Sequence, residues 1–236
     1  MTSEQIEHEF NGETLASELV RAKKPRATII LFPTVAGVSE LELGFAETLS
    51  RKGYNAFVAD LYGKEFRGSG RETGAQQMKR LRSNRAALGN RLLSVVKTVQ
   101  GLDGTGAGIV AIGFCFGGLC ALDLARTGID IAGVASFHGL FDPSGLPPRP
   151  IQAKVIAFTG WDDPMVPPEK VVALGHELTR AGADWQIHAF GNTVHAFTNP
   201  GADKFGNPAT KFSPSASRRA WAGLDDFLCE LFPTDG

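Results

Sequence analysis

Cys115 stands inside a frame of glycines, Gly113-Phe114-Cys115-Phe116-Gly117-Gly118. The frame follows the apolar run Ile109-Val110-Ala111-Ile112 and precedes Leu119-Cys120-Ala121-Leu122. A buried strand, a tight turn and a helix fit that order, which is the layout of a nucleophile elbow with sulfur in place of a serine oxygen. Such a turn holds its nucleophile in strained backbone geometry, and a Cβ at Gly113 or Gly117 would press into the packed strand and helix. The turn also sets the thiol at a helix N-terminus, where free N–H groups and the helix dipole favour thiolate. The bland alternative is a glycine-rich connection around a buried cysteine, since free cysteine often serves as a small core residue.

A thiol with an ordinary pKa near ~8.5 is only slightly ionised at neutral pH, so a nucleophilic cysteine calls for a base, and the base for an orienting acceptor. Both residue types follow runs that read as strands. Gly160-Trp161-Asp162-Asp163-Pro164-Met165-Val166-Pro167 comes after Phe158-Thr159, and Gly191-Asn192-Thr193-Val194-His195-Ala196-Phe197 comes after Phe190. Nucleophile, acid, histidine is the chain order of α/β-hydrolases. Position alone leaves Asp162 and Asp163 both open as the acid. His195 is the candidate base, and its bland alternative is a loop histidine capping backbone groups. His138 ends an apolar run and is a candidate pocket residue with no proton-transfer role, while His8, His176 and His188 read as surface residues.

These residues need a scaffold, and the apolar pattern supplies one. Ile6-Phe10 and Leu15-Val20, separated by Asn11-Gly12, read as an opening hairpin. Ala27-Phe32, Asn55-Asp60, Ile109-Phe114, Ile131-Phe137, Lys154-Thr159 and Trp185-Phe190 read as strands. Helices are expected from Leu41 to Lys52, from about Ala75 to Gln100, from the elbow to about Arg126, from Glu169 to Ala181 and from Ser215 to Phe232. A glycine- and charge-rich loop from Tyr62 to Gly74 precedes the long helix, and Pro143 to Pro150 form a rigid loop. Strands of continuous apolar residues alternating with helices predict an α/β fold with a mostly parallel central sheet and helices on both faces. Ligands of such sheets bind beyond the carboxyl ends of the strands, where the three candidate reactive segments fall.

With 236 residues the chain suits one α/β domain. Its 43% hydrophobic and 21% charged residues are ordinary for a globular protein, and a formal net charge of −1 argues against nucleic acid or an anionic membrane as the main partner. No apolar run reaches a membrane span and the start lacks signal-peptide character, so a cytoplasmic location is expected. Cys115 and Cys120 lie too far apart along one helix for a disulfide, and Cys120 and Cys229 read as core fillers. No phosphate-binding glycine loop and no zinc spacing is present, so no cofactor and no metal is expected.

Taken together, Gly113-Phe114-Cys115-Phe116-Gly117-Gly118, Asp163-Pro164-Met165-Val166-Pro167 and His195-Ala196-Phe197-Thr198-Asn199-Pro200 resemble the dienelactone hydrolase family, over nearly the whole chain from about Ala27 to Phe232. The resemblance implies an α/β-hydrolase fold and a catalytic Cys115, Asp163 and His195. Matching Val166-Pro167 puts the family's aspartate on Asp163 and leaves Asp162 a neighbouring surface carboxylate. It further implies an oxyanion hole from the Phe116 and Val35 backbone N–H groups. The activity implied is hydrolysis of a small-molecule ester or lactone through a thioester, as in a carboxymethylenebutenolidase. Thr34, His138, Trp161 and Phe197 are the candidate pocket residues.

The chain departs from the family pattern at two places. Thr34 stands where well-studied members carry a glutamate that interacts with the thiol, so an ordinary Cys-His pair is expected. Asn199 stands where they carry an arginine for the lactone carboxylate. Arg80, Arg82, Arg85 and Arg91 lie on the long helix, where a solvated face is the simpler account. Rival readings are a general carboxylesterase or thioesterase of the same fold, a binding module that kept the fold without the activity, and a thiol sensor.

Overall fold

The computed structural model describes residues 3–233. Eight strands form one sheet in the order β1-β2-β4-β3-β5-β6-β7-β8. They are β1 (Glu4–Phe10), β2 (Glu13–Val20), β3 (Ala27–Phe32), β4 (Tyr54–Val58), β5 (Ile109–Phe114), β6 (Gly133–Phe137), β7 (Lys154–Gly160) and β8 (Trp185–Phe190). The β1-β2 hairpin and its junction with β4 are antiparallel, and every pairing from β4 through β8 is parallel. Strands β3, β4, β5 and β6 are buried along their whole length, which explains their unbroken apolar runs, whereas edge strands β1 and β8 alternate in exposure.

Among the described residues six α-helices cover the two faces: α1 (Glu40–Arg51), α2 (Gly70–Arg82), α3 (Arg85–Gln100), α4 (Phe116–Arg126), α5 (Pro168–Arg180) and α6 (Pro214–Leu231). Leu88, Leu92 and Val95 of α3, Leu119 and Leu122 of α4 and Leu174 of α5 share one core layer. Ala46 and Leu49 of α1 and Ala220 and Leu224 of α6 share the other. The chain leaves β3 for β4 on one side and then returns to β5 on the other. The switch point between β3 and β5 opens a crevice beyond their carboxyl ends, where a ligand is expected in this architecture.

The expected long helix from Ala75 to Gln100 is two helices. Helix α2 begins earlier, at Gly70, inside the stretch read as loop, and breaks at Ser83-Asn84. The Asn84 carboxamide accepts the Ala87 N–H at 3.0 Å and so caps α3. The break overturns the reading of Arg82 and Arg85 as one solvated face. Arg82 donates to Asp142 at 2.7 Å, and Arg85 grips Asp123 of α4 through two bonds of 2.5 Å. Arg91 is buried beneath the hairpin, paired with Glu13. Cys229 is a second correction: it lies on the solvent side of α6 and is exposed, whereas Cys120 is buried as expected.

Candidate active site

The elbow forms because three backbones meet there with no room for a side chain. A Cβ on Gly113 would lie 1.9 Å from the Gly117 carbonyl oxygen, and one on Gly117 would lie 2.0 Å from that of Phe32. These approaches let α4 start directly on the ends of β5 and β3. Cys115 at the turn has φ +56° and ψ −113°, a strained conformation for a residue with a Cβ, and its N–H donates to the Phe137 carbonyl at 3.0 Å.

Asp163 follows β7 and His195 follows β8. His195 Nδ1–H donates to Asp163 Oδ2 at 2.7 Å, and both residues are buried. The other carboxylate oxygen accepts the Met165 N–H at 2.9 Å, which fixes the acid's orientation. The backbone of His195 is held on both sides, its N–H donating to Ala209 and its carbonyl accepting from Lys211. Nε2 of the same ring is buried without a hydrogen-bond partner and faces the thiol. No hydrogen bond of good geometry joins the two groups.

The charges of the pair reinforce one another. Burial pushes the Cys115 thiol up, but the His195 charge and the Phe116 N–H outweigh it, and the thiol lies below its ordinary value. Burial pushes His195 down, but the Cys115 thiolate and the Asp163 carboxylate raise it to about 10. The two shifts have one origin, the attraction between a thiolate and an imidazolium, and each lowers the cost of charging the other. Of the groups around the thiol, His195 and the Phe116 N–H lower it, while Asp163 raises it directly. Asp162 is turned outward, and its carboxylate accepts the Thr193 N–H at 3.2 Å.

A cavity of about 740 Å³ opens above the thiol, lined by Thr34, Val35, Cys115, His138 and His195 among others. Val35 lines this cavity, and no hydrogen bond from its N–H is found among the described residues. Leu41, Phe45, Met78, Leu140 and Met165 give the cavity apolar walls. Of the four expected pocket residues, Thr34 and His138 line it and the other two do not. Trp161 is 44% exposed outside it, its N–H tied to Phe190, and Phe197 is fully buried behind His138, edge-on to that ring at 5.2 Å.

Two features of the site escaped the sequence reading. Glu42 of α1 is fully buried; Oε1 accepts the Thr34 N–H at 3.0 Å and Oε2 accepts the Ser39 hydroxyl. Burial holds its carboxyl above the usual range despite these bonds. The signal was present as Ser39-Glu40-Leu41-Glu42, a capping-box pattern whose acid here reaches back to the loop before the helix. The second is Asp142, whose single carboxylate accepts from both Arg82 and Lys170 at the cavity wall. Nothing in the sequence brings those three distant residues together.

A mostly parallel sheet of this strand order, with a glycine-framed turn after β5 and an Asp-His pair on the loops after β7 and β8, defines an α/β-hydrolase. The profile of the dienelactone hydrolase family matches residues 15–232, and the chain belongs to that family. Among solved structures, the dienelactone hydrolase-like promiscuous phosphotriesterase P91 from metagenomic libraries is 28% identical. It superposes with a TM-score of 0.83 over 98% of both chains. A structure named m3DLH is 29% identical with a TM-score of 0.89, again over 98% of both chains. An uncharacterized protein of Caenorhabditis elegans, K02A2.1, is 33% identical over 143 residues, which are 59% of this chain and 89% of that one.

Proposed function

We propose that the protein hydrolyses a carboxylic ester or lactone by acyl transfer to Cys115. The observation that carries this reading is the buried 2.7 Å bond from His195 to Asp163, whose free Nε2 faces a strained cysteine at a helix start. The Cys115 thiolate attacks the carbonyl carbon, and the oxyanion is received by the Val35 and Phe116 N–H groups. His195 gives its proton to the departing oxygen as the C–O bond breaks, which leaves a thioester. Water then attacks the thioester carbonyl, giving up a proton to His195, and the acid product leaves as the thiol re-forms. In a lactone the departing oxygen stays tethered, so the product is one hydroxy acid, the outcome of a carboxymethylenebutenolidase-like reaction.

Arg82, Lys170, Arg71 and Lys204 line the cavity against the single carboxylate of Asp142. This excess positive charge supports an ester that carries an anionic group, even with Asn199 at the position of the family's arginine. A second reading, a broader carboxylesterase or thioesterase, is favoured by the apolar walls from Leu41, Phe45, Met78, Leu140 and Met165. A panel of dienelactone, simple aryl esters and acyl thioesters, assayed with wild type, Cys115→Ala and Cys115→Ser after confirming their fold, separates the readings. Acyl transfer to Cys115 requires that Cys115→Ala lose turnover on every substrate; equal turnover by all three proteins overturns it.

A further inference from the structure

His138 ends β6 one position beyond Phe137, which pairs with Phe114, so it stands beside Cys115 at the neighbouring strand end. It is almost wholly buried and adopts φ +37°, a conformation rare for a residue with a side chain. Its N–H donates to the Phe158 carbonyl at 2.7 Å. Its ring lies edge-on to that of His195, with centroids 5.1 Å apart, and is packed by Phe197 and Phe114. Nε2 is hydrogen-bonded to Thr198 Oγ1 at 2.8 Å, while Nδ1 is buried without a partner.

A buried ring nitrogen left unpaired is unfavourable, and an apolar ring of the same shape would fill the space without that penalty. What the imidazole supplies is the bond to Thr198. That residue sits three positions after His195, past Ala196, itself strained at φ +58°. The segment carrying the histidine is therefore bent sharply and then anchored to β6. The groups facing the His195 ring are the Cys115 thiol, the Asp163 carboxylate and the His138 ring. Asp163 sets the ring's tilt through Nδ1, and His138 backs it from the sheet side.

On this basis, and resting on the acyl-transfer reading above, we infer that His138 is a positioning residue: its hydrogen bond to Thr198 and its edge contact with His195 hold the imidazole against Cys115. Burial and the neighbouring His195 charge keep the His138 ring uncharged, so it backs the imidazolium without opposing a second cation to it.

Thr198→Val keeps the shape and removes the bond; His138→Phe keeps the ring and removes the bond. Each is expected to lower kcat on an aryl ester roughly three- to tenfold with little change in KM. Each should raise the pH midpoint of Cys115 alkylation by iodoacetamide by about 0.5 to 1 unit, as for loss of one neutral hydrogen bond acting through the pair. The double variant should lose no more than the worse single one, and Thr198→Ser should recover both properties. A folded Thr198→Val with wild-type kcat and an unmoved midpoint overturns the inference, as do losses that multiply fully in the double variant. If His138→Phe does not fold, Thr198→Val and Thr198→Ser carry the test alone. Failure here with Cys115 still required for turnover rejects only the role of His138; turnover by Cys115→Ala rejects the acyl-transfer reading beneath it.

Discussion

Asp163→Asn removes the carboxylate that holds His195 while keeping the volume of the side chain. A buried hydrogen bond to a charged group contributes about 1.5–3 kcal/mol, and one pKa unit corresponds to about 1.36 kcal/mol, so His195 should fall by roughly one to two units. The sign then passes to the thiol. Burial raises Cys115 and the His195 charge lowers it; Asp163 also raises it directly, but as the smallest influence on it. A more weakly held and less well aimed imidazolium draws the thiolate less strongly, which outweighs losing that repulsion, and Cys115 should move up. The midpoint of thiolate formation should rise by about one to two pH units, with kcat/KM at pH 7 falling on the order of ten- to a hundredfold. The assay is the pH dependence of iodoacetamide alkylation, run in a Cys229→Ser background because Cys229 is exposed while Cys120 is buried. Asp162→Asn is the control, since that carboxylate only accepts a Thr193 N–H at the surface. A folded Asp163→Asn whose midpoint stays within about 0.3 unit of wild type, or a shift carried by Asp162→Asn instead, refutes the reasoning.

Glu42→Ala leaves the Thr34 N–H without its acceptor, so it should destabilise the protein by about 1–3 kcal/mol and lower kcat about tenfold as the Val35 donor loses its setting. Urea unfolding and steady-state kinetics check both parts. Gly117→Ala sets a Cβ 2.0 Å from the Phe32 carbonyl, a clash of backbone with backbone; destabilisation at or beyond the ~3 kcal/mol usual for overpacking is expected, read as lost soluble yield or a lowered Tm. Cys115→Ala removes the thiolate that does most to raise His195, so the titration of its ring protons by NMR should shift to lower pH. His138 is buried uncharged and held well below its ordinary value, so the unfolded chain takes up a proton that the folded ring refuses. Stability should decline as pH falls below about 6.5, and less so in His138→Gln, as read from urea midpoints at pH 7 and pH 5.

The central strands and the elbow were legible because their causes are local. Continuous apolar runs mark strands buried on both faces, and the pair Gly113 and Gly117 has one physical reason, the contact of α4 with β5 and β3. The break at Asn84 was hidden by the apolar spacing of Met78, Leu81, Leu88 and Leu92, which a single helix would satisfy equally well; the cap decides it, and Asn is ambiguous within a helical pattern. Trp161 and Phe197 flank Asp163 and His195 in sequence, yet chain adjacency at a tight loop sends neighbouring side chains in opposite directions. One went to solvent and the other into the core. Glu42 and Asp142 could not be weighed from the sequence, since a helix acid and a loop acid look solvated until their distant partners are placed.

The most direct test mixes the protein with an aryl acetate, quenches in acid during turnover and maps the acetylated peptide by mass spectrometry. The account predicts acetyl on Cys115, removed by neutral hydroxylamine as a thioester is, and absent from Cys115→Ala. Steady turnover with Cys115 never acylated, sustained equally by Cys115→Ala, would contradict it.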